Sequence, residues 1–128
     1  MKKELELELV KKYPKLFQEY NKPPQQSCMA FGCECGNGWY NILNELFEAL
    51  SKYDDIILAQ VKEKFGGLRV YIHGAPVDVS KEVHKLIDNA EEKSFTVCEM
   101  CGKEGTLRGD GWMVTLCESC NEKRENGK

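Results

Sequence analysis

Two cysteine pairs near the C-terminus, Cys98-Glu99-Met100-Cys101 and Cys117-Glu118-Ser119-Cys120, constrain the fold of this chain more than any other feature. Two cysteines separated by two residues bend around one ion within a single turn, and Gly102 after the first pair permits such a knuckle. The separation of the pairs by residues 102–116 falls within the spacing of a four-cysteine zinc site. Together they supply the tetrahedron of thiolates that zinc takes in closed structural sites, so the pattern predicts one structural Zn2+ on Cys98, Cys101, Cys117 and Cys120. Unligated thiols and an iron–sulfur cluster are the competing readings of the same ligand set. Four thiolates leave no open position for water, which argues against a catalytic zinc. Between the pairs, Gly105 to Leu116 predict a short hairpin turning at Gly109-Asp110-Gly111, with Trp112, Val114 and Leu116 alternating on the returning strand. Polar residues after Cys120 suit the start of a helix. Knuckle, hairpin and helix start make a treble-clef-like finger, with a zinc ribbon as the near alternative.

The chain holds 128 residues, 41% hydrophobic and 30% charged, which reads as soluble and globular and is long enough for one domain with a small appendage. Seven cysteines are many for this length. Met1-Lys2-Lys3 is followed by alternating Glu and Leu rather than an apolar leader, and no apolar run reaches membrane-spanning length. The expected location is the cytoplasm, with no membrane partner. Cysteines kept reduced there argue for metal before disulfide. The net charge of -3 and the absence of a strongly basic stretch lower the nucleic-acid reading.

Residues 2–13 alternate Glu and Leu, yet Leu5, Leu9 and Leu16 also fit a helical stripe and the residues are good helix formers, so a helix ending near Pro14 is expected. Residues 21–27 read as a loop. In the Gly-rich segment Phe31 to Trp39, Asn37 is expected to cap the helix that follows. That helix carries the clearest stripe: Trp39, Ile42, Leu43, Leu46, Phe47 and Leu50. Residues 56–62 and 68–72 predict a hairpin turning at Gly66-Gly67, with Ile57, Ala59 and Val61 on one face of its first strand and Leu68, Val70 and Ile72 on one face of its second. A third helix, capped by Asp78 or Ser80 and running to about Ser94, carries Val83, Leu86, Ile87 and Ala90. Composition shifts near Phe95, dividing a core of residues 1–94 from a finger of residues 95–128 packed on it.

Other candidate chemistry is sparse. Cys28, Cys33 and Cys35 form a second cysteine group that, with His73 or His84, would complete another tetrahedron; small residues in a Gly-rich turn are the simpler reading. Treble-clef nucleases need histidines in the finger, and this one has none. Gly66-Gly67 lacks the spacing and terminal Lys-Ser/Thr of a phosphate loop. Lys62, Lys64 and Arg69 at the hairpin tip, with Trp39, form the candidate binding surface for an anion or an acidic partner. Asp54-Asp55 and Glu91-Glu92 suit solvated faces rather than catalytic dyads.

Three segments carry a resemblance: Phe31 to Tyr40 with Cys-Gly-Asn-Gly-Trp at its centre, Gln60 to Tyr71 with Lys64-Phe65-Gly66-Gly67-Leu68-Arg69, and Thr96 to Cys120. In this order, over most of residues 13–120, they resemble a group of small bacteriophage- and prophage-encoded proteins with a C-terminal four-cysteine zinc motif. The resemblance implies a small accessory protein made in the host cytoplasm during infection, of a kind that binds and redirects a host factor, immune factors included.

The expected architecture is therefore α+β: a small helix and β-hairpin core with a C-terminal zinc-ribbon or treble-clef-like finger. A second copy pairing with the hairpin's open edge would give a homodimer. The leading function is a non-enzymatic zinc-stabilised module that binds, and inhibits, a host protein such as a defence factor. One alternative is nucleic-acid binding through the finger and the Lys62–Arg69 tip. The other is capture of a small anionic, nucleotide-like ligand in a pocket near Trp39 and Arg69.

Overall fold

The computed structural model describes residues 1–126. The first helix, α1 (Lys3–Lys12), has Glu4 and Glu6 in its first turn and Lys11 and Lys12 in its last, each sign opposing the helix dipole. It stops where expected: Tyr13, ahead of Pro14, leaves helical geometry at φ -128° and ψ 57°. Asn37 does not cap the helix that follows it. Its Oδ1 accepts the amide of Lys2 at 2.7 Å, at the start of α1, while Asn37–Trp39 form a 3-10 turn leading into α2 (Tyr40–Leu50).

The stripe on α2 is buried as the sequence predicts, with Ile42, Leu43, Leu46, Phe47 and Leu50 all inside. The third helix, α3 (Ser80–Ser94), buries Val83, Ile87 and Ala90 and packs on α2. Neither Asp78 nor Ser80 caps it through a side chain; a 3-10 turn at Val77–Val79 leads straight into its first turn. Tyr13 and Phe17 set their rings edge-on to Phe47, which ties the segment after α1 to the same core.

The helices cover a three-stranded sheet in the order β1 (Cys33–Glu34), β2 (Ile57–Lys64), β3 (Gly67–His73). The β2–β3 register pairs Lys64 with Gly67, so the two-residue turn is Phe65-Gly66 rather than Gly66-Gly67. Both turn residues have positive φ, 55° and 85°, the backbone that suits the twist of a tight hairpin. The first strand also departs from simple alternation. Its register shifts between Leu58 and Gln60, and this bulge brings Leu58 and Val61 to the interior in place of the expected Ile57, Ala59 and Val61 face. β1 is parallel to β2, with Cys33 opposite Val61 and Glu34 opposite Lys62.

The outer edge of β3 is partly covered by α3: the amides of Leu68 and Val70 donate to Ser94 Oγ and to a Glu91 carboxylate oxygen, each at 2.9 Å. The remaining elements, β4 (Thr106–Arg108), β5 (Val114–Leu116) and α4 (Glu118–Asn126), belong to the cysteine-rich end. Among the described residues no helix is long and apolar enough to cross a membrane.

Leu46 lies on the buried side of α2. Leu46→Asp places an unpaired charge there and should lower stability by roughly 3–5 kcal/mol. A thermal melt within a degree or two of wild type would show that the stripe is not the core.

Candidate metal centre

Residues 97–105 fold back on themselves. The Cys98 amide donates to the Lys103 carbonyl at 2.7 Å, and the Gly102 amide to the Cys98 carbonyl at 2.9 Å. This closes the knuckle around the first pair, with Gly102 at φ 84°. β4 and β5 then form an antiparallel hairpin pairing Thr106 with Leu116 and Arg108 with Val114. Cys117 follows β5 directly, and Cys120 sits in the first turn of α4. Knuckle, hairpin and helix start come in the order the sequence predicts. Trp112 departs from the expected alternation: β5 begins at Val114, and Trp112 stands exposed in the turn.

The four sulfur atoms lie 3.6–3.8 Å from one another. A tetrahedral ion with metal–sulfur bonds of about 2.3 Å needs edges of about 3.8 Å, so the ligand set fits a four-thiolate metal site. Cys98 and Cys117 are buried, Cys120 is half-buried, and Cys101 is exposed on the rim. The charges are not shared evenly. Burial opposes ionisation of Cys98, but the amides of Cys117, Cys101 and Met100 outweigh it and lower the thiol to about 6. Cys117 is held below the ordinary thiol value, first by the Cys120 amide, which lies 3.4 Å from its sulfur. Cys120 is pushed up to about 12 by desolvation and by the other three sulfurs. Without a cation the cluster therefore keeps at least one proton, and a divalent ion at its centre favours the fully ionised set.

Two glycine-containing loops of the core hold this finger. The Gly38 amide donates to the Glu99 carbonyl at 2.7 Å, and the Gly36 amide to a Glu99 carboxylate oxygen at 2.8 Å. Trp39 Nε1 donates to the Val97 carbonyl at 2.9 Å. The approach is so close that a Cβ on Gly38 would stand 2.0 Å from the Cys98 carbonyl oxygen. At the hairpin tip, Thr115 Oγ1 donates to the Gly66 carbonyl at 2.6 Å, and the Phe95 ring fills the space a Cβ on Gly67 would need, at 2.3 Å. Desolvation raises the Glu99 carboxyl above its usual range, partly offset by the Gly36 amide. Reading residue types alone missed Glu99 and Thr115. The available signal was the pair of glycine motifs, each of which marks a place where another backbone approaches closely.

The other candidate residues do not assemble into a site. Trp39 is fully buried and cannot line a binding surface, because its ring belongs to the core and its nitrogen is committed to Val97. Arg69 instead borders a shallow cavity of about 260 Å³ with Tyr71, His84 and Asp88. Lys62 is directly opposite Arg69 in the sheet and beside Glu34 on its other flank, so an acidic neighbour accompanies the two cations. Lys64 stacks over the Phe65 ring at 5.4 Å. Cys33 and Cys35 are buried within the core, and burial pushes both thiols up, Cys35 to about 12. Cys28 is exposed. Among the described residues, the four C-terminal cysteines form the only group of three or more ligands close enough to hold an ion.

Comparison with family models, curated proteins and solved structures gave no match to this chain.

A side chain at Gly38 must displace knuckle backbone rather than a flexible side chain. Gly38→Val should therefore cost about 2–3 kcal/mol and raise hydrogen exchange at residues 97–102, because the added side chain presses on the Cys98 carbonyl and the Gly102 amide. Wild-type stability and exchange in this variant would show that the contact does not hold the finger.

Proposed function

We propose that this protein is a non-enzymatic binding module, made in the host cytoplasm by a bacteriophage or prophage, that docks on a host protein such as a defence factor, and that one structural zinc ion fixes its finger. The observation that carries the reading is the pairing of two exposed aromatic rings. Phe65, 65% exposed at the tip of the β2–β3 hairpin, and Trp112, 74% exposed at the tip of the β4–β5 hairpin, line one cleft of about 270 Å³ with Met113 and Gly111. Large aromatics contribute nothing to a core from such positions, and they are the side chains that most often anchor protein interfaces. Four thiolates complete a zinc tetrahedron without an open position, which supports a structural ion over a catalytic one. The resemblance of the Lys64–Arg69 and Cys35–Trp39 segments to phage and prophage proteins supports the origin. The nucleic-acid alternative has less support, given the net charge of -3 and the placement of Glu34 beside Lys62.

Metal analysis of protein purified without added metal should find about one zinc per chain. Iron, or no metal in folded protein, would overturn the assignment. Zinc binding to comparable fingers is worth roughly 10–16 kcal/mol at neutral pH. Cys117→Ser or strong chelation should therefore unprotect amides of residues 97–120, while α2, α3 and the β2–β3 hairpin keep theirs, since their apolar contacts need no metal.

Tagged protein recovered from infected cells should retain a protein that the Phe65→Ala/Trp112→Ala variant does not, and purified partner should bind the variant about 30-fold more weakly or worse. Equal binding by the variant, or retention of nuclease-sensitive RNA or DNA in place of a protein, would overturn this reading.

A further inference from the structure

The finger has a second concavity, separate in its lining from the cleft between the two aromatic tips. It lies between the knuckle, β5 and α4 and has a volume of about 360 Å³, within the roughly 300–1,000 Å³ of ligand pockets. Its lining is mostly apolar: Met100 from the knuckle, Val114 and Leu116 from β5. Met100 is 59% exposed although nothing in the cysteine spacing calls for an apolar residue there. Methionine is a side chain that adapts its shape to a partner and is over-used at binding surfaces.

One wall is charged. Lys123 and Arg124 of α4 border the same concavity, and among the described residues no carboxylate lies within ion-pair distance of either. Glu99, the carboxylate that shares the lining, is already bound through one oxygen to the Gly36 amide. Cations in a last helical turn also suit the helix dipole. The dipole, however, asks for no apolar floor beside them.

We infer that this groove binds an acidic peptide segment of a partner protein, with one apolar side chain seated on Met100, Val114 and Leu116 and carboxylates facing Lys123 and Arg124. This rests on the protein-binding reading above and deepens it. The lining favours a peptide over a single-stranded nucleic acid, because it contains no aromatic ring on which a base would stack. Its three walls are each fixed to the same four-sulfur centre, the knuckle through Cys98 and Cys101, β5 through Cys117 at its end, and α4 through Cys120. The groove exists only while that centre is closed.

Selection of a ribosome-displayed random peptide library on the full-length, metal-loaded protein tests the inference. The enriched peptides should carry Asp or Glu beside a Leu, Ile, Met or Phe. A fluorescent copy of the most enriched peptide should bind Met100→Asp and Lys123→Glu/Arg124→Glu about tenfold more weakly or worse, with metal content per chain unchanged in both variants. All of the changed residues lie on the surface or rim of the finger, away from the main core. No enrichment, enriched peptides without acidic residues, or full binding by both variants would overturn it. So would an oligothymidylate probe that binds the wild type and is lost with the charge reversal. If these peptides fail while the host protein still depends on Phe65 and Trp112, the groove inference falls and the protein-binding reading stands. Loss of both results would remove both.

Discussion

Four sulfur atoms within 3.6–3.8 Å of one another form a ligand set that fits one metal ion, in a segment whose own apolar core is small. The finger's own apolar cluster is Cys98, Leu116 and Cys117, with Val114 and Cys120 against it, and two of its three buried members belong to the four-sulfur set. No hydrophobic core of that size offsets the entropy of ordering some two dozen residues. The helices and sheet of the remainder form a separate and much larger cluster centred on Trp39, Phe47 and Leu43. Apolar burial is therefore concentrated before residue 95, and the four-sulfur set lies after it.

The two parts meet through main chain. Glycines at positions 36 and 38 let the loop after β1 lie on the knuckle, and Gly66-Gly67 let the hairpin tip accept Thr115 and Phe95. This gives a structural reason for the two motifs most recognisable in the sequence. Both are sockets for the finger. Trp39 belongs with the first of them, since its ring is buried in the core while its nitrogen reaches the Val97 carbonyl just ahead of the knuckle.

What the sequence made legible was whatever repeats. The stripe from Ile42 to Leu50 and the set Val83, Ile87 and Ala90 recur at the helical period, and the cysteine pairs recur as a ligand pattern; all three were placed correctly. What it hid depends on single backbone events or on distant partners. A bulge between Leu58 and Gln60 put Leu58 inside in place of Ile57 and Ala59 while Val61 stayed inward, and no periodicity announces one extra residue. Asn37 has the composition of a helix cap for its own neighbourhood, yet its Oδ1 accepts the Lys2 amide just ahead of α1, thirty-odd positions earlier, because the loop folds back on α1. Trp39, read both as the first residue of the apolar stripe and as part of a binding surface, is buried with the stripe. The edge of β3 read as open because nothing local reveals that Ser94 and Glu91 arrive from α3 to cover part of it.

Attachment through carbonyls and amides has a further outcome for the finger's outward side chains. Met100 and Trp112 take no part in the hydrogen bonds that fix the finger to the core, and both stand well exposed. Substitution at these positions leaves the ligands, the knuckle and its sockets intact. Side chains at these two positions can therefore be exchanged while the frame stays constant, much as interchangeable heads fit one handle.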